Sequence, residues 1–385
     1  MRLDLTADQR LLQSTTADFL AGTSSVAVAR ALHAEGRSFD RDTWRRGAEL
    51  GWTSLLVPED LGGGSVSGAG LIDATIIAEQ LGAIAAPGPF LAVNVVAFAL
   101  AESVRAQGPN AAVHAGLLKR LLAGEAIASW ACCPPGGGWN PEAGAITAIP
   151  EGDGYRLTGV HEGVEAAADA DAFLVLARVP ESKAPEGLMQ LIVPATADGL
   201  TVVAMGTLDL TRGFGRVSYD GVEVGPEAVV GRSGEGGDAV ERQFQVAVVL
   251  QCAELAGVVD TVLEFTRQWL ADRFTFGRPL ESYQALKHRF ADLTTWSHAA
   301  QAATYAAAEA VHERRPDAAE AVSIAKAYAG QRATDIVQDC VQLHGGLGVT
   351  WEHDIHVYLR RATVGRVTWG TPSQHRRRIA DLLNA

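Results

Sequence analysis

The chain has 385 residues, of which 48% are hydrophobic, and carries a formal net charge of -13 at neutral pH. That length allows two or three domains with sizeable cores, and the acidic balance argues against DNA or RNA as the main partner. The opening MRLDLTADQR contains aspartates and no apolar core, and no uninterrupted apolar run has transmembrane length and flanks, so a cytoplasmic protein without membrane insertion is expected. Cys132, Cys133, Cys252 and Cys340 show no zinc-ligand spacing, and the adjacent pair is a poor disulfide framework, so reduced cysteines are the expectation.

In chain order, residues 6–32 read as a helix, with Asp8 in the first turn and Leu11, Leu12, Phe19 and Leu20 on one apolar face. Residues 39–50 form a second helical stretch. Pro58 followed closely by Gly62, Gly63 and Gly64 is a strong breaker. Residues 69–81, 91–104 and 111–122 give three more helices, with Gly82, Pro87 and Pro89 as punctuation. After Gly124 the pattern turns to short β-like runs at 155–158, 172–178, 189–193, 200–205 and 214–219, interrupted by Gly136, Gly137, Gly138, Pro194 and Gly199. The Gly-rich segment 231–237 is the natural exit, and 244–270 then reads as a long helix packed on more than one side. The expected organisation is a helical domain over 1–122, a β domain over 123–236 and a helical domain over 237–385.

The long helix ends in ADRFTFGRPLESYQ, residues 271–284, where the chain changes character abruptly. Arg273, Thr275 and Phe276 place a cation, a hydroxyl and an aromatic ring at a helix exit, beside Gly277 and Pro279 that let the backbone turn. This suits an anion bearing a flat ring system, and it equally suits a capped helix end. His344, beside Gly345 and Gly346, has two readings as well: ligand polarisation or a hydrogen bond within a helix junction. Glu352, His353, Asp354 and His356 lack metal-site spacing and read as an interface or solvated face, and no metal is expected. Arg376, Arg377 and Arg378 read as a solvated helix face or a phosphate contact.

These segments resemble the acyl-CoA dehydrogenase family. In that family a helix ending in Glu-Arg-x-Thr-Phe-Gly is followed by glutamine, here Gln284 after Gly277, and VQLHGGLGVT at 341–350 is similar to its flavin-contacting Gln-x-x-Gly-Gly-x-Gly segment. MGTLDLTRGFGRVSYD at 205–220 resembles the end of its middle domain, and with GWTSLLVPEDLGG the likeness spans essentially the whole chain. The resemblance implies an α+β fold with a helical amino-terminal domain, a middle β domain and a carboxy-terminal four-helix-type domain. It implies FAD held across a dimer interface, with Arg273, Thr275, Phe276, Gln284, Gln342, Gly345 and Gly346 as cofactor-binding residues.

The chain departs from the family pattern at four places. Cys133-Pro134-Pro135-Gly136 stands where Thr-Glu-Pro-Gly is usual, and cysteine is a weaker hydrogen-bond donor than threonine. Gly163 and Glu165 stand where the family places tryptophan and a hydroxyl residue against the flavin. Both usual positions of the catalytic carboxylate lack one: Trp369 precedes Gly370-Thr371, and Ala247, followed by Val248, occupies the site on the long helix. Glu241 and Glu254 are the nearest acids on that helix, at different heights or azimuths, and no catalytic residue is assigned. Phe244 matches a family aromatic near the CoA moiety.

The leading expectation is an FAD-associated subunit of a heteromer, such as a heterotetramer, whose homologous acyl-CoA dehydrogenase partner donates the carboxylate. The family precedent is the mixed complexes that act on steroid side-chain CoA thioesters, with an acyl-CoA or steroid-CoA as substrate and an electron-transferring flavoprotein as the electron acceptor. The alternatives are a homomeric CoA-thioester flavoenzyme with a relocated base or altered reaction, and a noncatalytic CoA-binding or structural homologue.

Overall fold

The computed structural model describes residues 5–106, 110–136, 140, 144–180, 187–231 and 236–384. Gly137, Gly138 and residues 232–235 of the Gly-rich exit lie outside the described residues.

Six helices form the amino-terminal layer: α1 (Ala7–Thr23), α2 (Val26–Ala34), α3 (Arg41–Glu49), α4 (Gly70–Ala83), α5 (Phe90–Arg105) and α6 (Ala111–Leu122). The single helix expected over 6–32 is two helices. Thr6 and Gln9 form a capping box that starts α1, Ser24 is extended at φ -134°, and the Ser25 hydroxyl accepts from the Val28 N–H at 3.2 Å to start α2. The Ser25 hydroxyl thus offers the backbone an alternative to continuing the helix. Asp40 caps α3 by accepting from the Thr43 N–H at 2.8 Å, and Phe19 packs edge-on against Trp52 at 5.6 Å.

The middle layer is a sheet in the order β6-β7-β3-β2-β4-β5-β8, with β1 added parallel to β4. Its strands are β1 (Ala128–Ala131), β2 (Ile146–Glu151), β3 (Gly154–Glu165), β4 (Ala172–Arg178), β5 (Leu188–Pro194), β6 (Leu200–Met205), β7 (Phe214–Val224) and β8 (Val229–Val230). All five expected strands are present, and three of them run longer than expected. The sequence pattern missed β1 because its four residues are all buried and show no alternation. It also cut β3 short at 158, where the strand slips register against β7 between Leu157 and Thr158; a second slip follows between His161 and Val164, around Gly163.

Helix α7 (Gly236–Asp272) is the spine of the carboxy-terminal layer, followed by the short hairpin β9 (Phe274–Thr275) and β10 (Arg278–Pro279), then α8 (Gln284–His312), α9 (Ala318–Leu343), α10 (Ile355–Val367) and α11 (Pro372–Asn384). Among the described residues α7 alone is long and apolar enough to cross a membrane, yet 89% of its most apolar window is buried inside the protein, which makes it a core helix. It crosses α4 with backbones in near contact. A Cβ on Gly257 would lie 1.9 Å from the Glu79 carbonyl oxygen, and one on Gly82 would lie 2.0 Å from that of Glu254, so no other residue fits at either position without moving a helix.

Candidate active site

An open cavity of about 810 Å³ lies between the sheet and α10–α11, lined by Cys133, Glu162, Gly163, Leu208, Phe214 and Trp369 among others. Gly163 has φ +64°, and a Cβ there would meet nothing within 4 Å, so the wall is open where an aromatic side chain would close it. Glu162 is the one carboxylate among the described lining residues. It accepts from the Gly136 N–H at 3.0 Å and from Arg216 Nε at 2.8 Å. The backbone N–H bond and the guanidinium hold its carboxyl below the usual range, which keeps it an occupied anion rather than a free base. The Gly136 N–H is therefore already taken by a side chain of the same subunit.

Glu165 turns away from this cavity into a buried ionic cluster. Its Oε1 lies 2.9 Å from Arg212 Nη1, Arg212 also pairs with Glu254, and Arg361 binds both Glu254 and Asp209, the latter at 2.7 Å. Arg361 further donates to the Ala86 carbonyl at 2.8 Å. Burial would raise Glu254, but the guanidiniums of Arg212 and Arg361 outweigh it and hold that carboxyl below its ordinary value. Burial pushes Glu165 the other way, upward, and the charges of Arg212 and Arg361, opposed by those of Glu254 and Asp209, do not compensate. Glu254 is thus a structural counter-ion between two guanidiniums, not a base facing an open site. Glu241 accepts from Gln245 at 2.7 Å and pairs with Arg378, so it is also engaged.

Neither usual base position carries an acid in space. Ala247 and Val248 are fully buried core residues. Trp369, held at φ +61°, stacks on Trp130 with ring centroids 5.3 Å apart and planes 22° apart. Its carbonyl accepts a hydrogen bond from His375 Nε2 at 2.9 Å, and that imidazole stacks on Phe244 at 5.8 Å. Phe244 is itself fully buried, so it serves this aromatic pile and lines neither cleft described below. Burial lowers His375 to about 4 and keeps it a neutral donor.

The expected cofactor residues sit together at the far end of α7. Arg273 lies over the Trp269 ring at 5.8 Å, and Trp269 in turn donates to the Leu343 carbonyl at 3.2 Å and stacks on His344 at 5.4 Å. This column joins the helix exit carrying Arg273 to the turn carrying Gln342, Gly345 and Gly346. Thr275 is half-buried in the β9–β10 hairpin, its carbonyl accepting from the Tyr283 hydroxyl at 2.7 Å. Phe276 is 93% exposed, and Arg273, Gln284, Gln342, Gly345 and Gly346 are also exposed. A Cβ at Gly345 or Gly346 would meet nothing of this chain within 4 Å, so the bare backbone there faces outward. His344 is buried and hydrogen-bonded through Nδ1 to the Cys340 carbonyl at 2.8 Å, which is the helix-junction role. Among the described residues no group of three His, Cys, Asp or Glu side chains is arranged to hold a metal.

Two adjoining clefts of about 620 and 540 Å³ escaped the sequence reading. They share Phe98, Glu102, Arg105, Arg242 and Arg314, contributed by α5, α7 and the turn after α8. Nothing local marks these arginines, since Arg105, Arg242 and Arg314 are far apart in sequence and meet only in the fold. Arg212, Asp209 and Thr211 lay within a segment whose likeness was recognised, whereas Arg361 carried no signal at all.

The arrangement fits the phosphate side of a dinucleotide better than its ring side. At the end of α7 an exposed cation, an exposed aromatic ring and unencumbered backbone stand together. In the cavity no side chain stands at Gly163, Glu165 is withdrawn and the Gly136 N–H is occupied.

Comparison with known proteins identifies the family. The family model for the acyl-CoA dehydrogenase N-terminal domain matches residues 6–125, and that for the acyl-CoA dehydrogenase C-terminal domain matches residues 234–383. The acyl-CoA dehydrogenase IpdE2 of Mycobacterium tuberculosis is 27% identical over 380 residues, covering 97% of this chain and 96% of its own. Among solved structures, the ChsE4-ChsE5 complex from Mycobacterium tuberculosis has a TM-score of 0.85 at 27% identity, covering 100% of this chain and 99% of its own. A variant of the Tcur3481-Tcur3483 steroid ACAD has a TM-score of 0.85 at 28% identity, covering 98% and 97%. With both terminal domains matched, the sheet between them in place and full-length relatives on either measure, the chain belongs to the acyl-CoA dehydrogenase family, whose cofactor is FAD.

Proposed function

We propose that this chain is one subunit of a heteromeric acyl-CoA dehydrogenase that converts a CoA thioester to its α,β-unsaturated product, with a homologous partner supplying the catalytic carboxylate. The observation that carries the reading is Trp369 stacked on Trp130: an indole pair fills the place from which a base would act. Removal of the proton beside a thioester carbonyl needs a carboxylate within reach and correctly oriented. Glu254 is held by two arginines, Glu241 by Arg378, and Glu162 by Arg216 and the Gly136 N–H. These engagements weigh against a homomeric enzyme with a relocated base.

FAD, when bound, accepts the two electrons of the oxidation. This chain's part is to present Arg273 to a phosphate, Phe276 and Thr275 to the adenosine side, and the bare Gly345-Gly346 backbone to a closely approaching group. Gln284 and Gln342 add amide donors and acceptors at the same surface. The clefts around Arg105, Arg242 and Arg314 suit the phosphates of a CoA thioester, with Phe98 beside them for its apolar part. Those retained surfaces favour a working subunit over a noncatalytic homologue. The likeness to the Tcur3481-Tcur3483 steroid ACAD supports a bulky steroid-CoA as substrate. A cytoplasmic location and an electron-transferring flavoprotein as acceptor complete the proposal.

The test is co-expression with family subunits that bear the carboxylate, followed by native mass measurement and anaerobic stopped-flow absorbance with fatty acyl- and steroid-CoA panels. The mixed assembly is expected to bleach its flavin and release the unsaturated thioester, while the isolated chain does not. Rapid bleaching with product from the isolated homomer would overturn the proposal.

A further inference from the structure

Cys132 and Cys133 follow β1 directly, and their sulfurs lie 4.0 Å apart. Cys133 is half-buried and forms part of the wall of the 810 Å³ cavity, whereas Cys132 is 1% exposed behind it. The Cys133 carbonyl is fixed by the Glu162 N–H at 3.1 Å, so the pair is anchored to β3 at the cavity mouth. Neither sulfur is used by the chemistry proposed above.

We propose that Cys132 and Cys133 form a redox-active thiol pair that a hydroperoxide entering the cavity closes to a reversible disulfide, with Cys133 as the attacking sulfur and Cys132 as the resolving one. The Cys133 thiolate attacks one oxygen of the hydroperoxide, the O–O bond breaks, and the other oxygen leaves as the alcohol or as water. The resulting Cys133 sulfenic acid is then attacked by the Cys132 sulfur, the S–S bond forms and a second oxygen leaves as water. The thiols lose two electrons and the hydroperoxide gains them.

Position and environment support this division of labour. Only Cys133 reaches the cavity, and the Cys132 hydrogen bond holds its thiol below the ordinary value, while burial pushes Cys132 well up. Cys252 and Cys340 are buried in α7 and α9 and pushed by burial to about 11 and about 12, so they stay protonated and out of reach. Neighbouring Cα atoms across a trans peptide are about 3.8 Å apart, below the roughly 4.4–6.8 Å that unstrained disulfides span. The closed bond is therefore strained and easily reduced, which suits a switch rather than a staple. Bringing the sulfurs together also pulls on the turn that leads to Gly136, whose N–H holds Glu162 at the cavity mouth.

The experiment treats the reduced full-length protein with hydrogen peroxide, blocks remaining thiols under denaturing conditions and reads peptide masses. The expected result is a loss of two hydrogen masses in the peptide carrying both cysteines, full alkylation of Cys252 and Cys340, and recovery with dithiothreitol. Cys132→Ser should leave a dimedone-trappable sulfenic acid at Cys133, and Cys133→Ser should leave Cys132 a free thiol; thermal melts of both variants show that they are folded. Alkylation of both thiols in the wild-type protein, at peroxide doses that oxidise free glutathione, would overturn the proposal without recourse to any variant. So would undiminished oxidation of Cys132 in Cys133→Ser. The outcome is independent of whether the heteromeric reading holds, because it is read on this chain by mass alone.

Discussion

Replacing Glu254 with glutamine or alanine separates its role as a counter-ion from any role as a base. The carboxylate lies between the guanidiniums of Arg212 and Arg361, each less than a tenth exposed. Removing one partner of a buried pair strands the other charge and costs about 3–5 kcal/mol. Here Glu165 and Asp209 remain to share the two arginines, so the loss belongs at the lower end for Glu254→Ala, about 3 kcal/mol. Glu254→Gln keeps a hydrogen-bonding carbonyl and should lose roughly half of that. At about 2.1 cal/mol/K per residue the chain's unfolding entropy is near 0.8 kcal/mol/K, so Glu254→Ala lowers Tm by about 4 °C. The sign with pH is fixed as well. A carboxyl held below its unfolded value contributes stability above that value and loses it as pH falls through the folded pKa, so the wild-type and Glu254→Gln stabilities converge in acid. Differential scanning fluorimetry across pH, together with flavin bleaching by the mixed assembly, is the assay. Unchanged Tm with abolished bleaching would refute the reasoning and mark Glu254 as a catalytic acid or base.

Glu165→Gln should be neutral or stabilising at pH 7, because burial raises this carboxyl and the folded protein resists its ionisation; the gain should vanish as pH falls through its raised folded pKa, and a clear loss of Tm at pH 7 would contradict it. Arg273→Ala should weaken FAD retention in the assembled protein by roughly 10- to 150-fold, equivalent to about 1.5–3 kcal/mol, and Gln342→Ala by less, as read from flavin-to-protein ratio and Kd. His161 and His375, both pushed by burial to about 4, are neutral in the fold and charged when unfolded below their ordinary value. Stability should therefore fall as pH drops from about 6.5 towards 4, and His375→Gln should flatten that slope in a pH-resolved denaturation series.

The helical stretches were legible wherever apolar residues recur at helical spacing and glycine or proline marks the ends, as in α4 to α6. Where that local rule competes with another, the sequence misled. Ser24 and Ser25 look neutral inside a helix window, yet the extended backbone at both and the Ser25 hydroxyl split α1 from α2. β1 is too short and too uniformly buried to show a period. At the site, short motifs pointed to the Arg273 and Gln342 segments, and the fold places both on one surface through Trp269 and His344. The ionic cluster was invisible because its charges come from β3, the β6–β7 connection, α7 and α10, and only tertiary packing brings Glu165, Arg212, Glu254 and Arg361 together.

Helix α7 also works as a ruler. From Arg242 in the arginine-lined clefts it runs without a break to Asp272, next to Arg273 at the exposed exit, and at 1.5 Å per residue the two arginines are about 46 Å apart along its axis. Its midpoint is clamped to α4 at Gly257, where the backbones leave no room for a side chain, so the rod cannot slide to shorten that distance. A ligand gripped at one end is out of reach of the other. On the proposed reading, a cofactor phosphate held at Arg273 therefore belongs to a different ligand from one lodged in this chain's own clefts, and the reacting end of that cofactor lies with a neighbouring subunit.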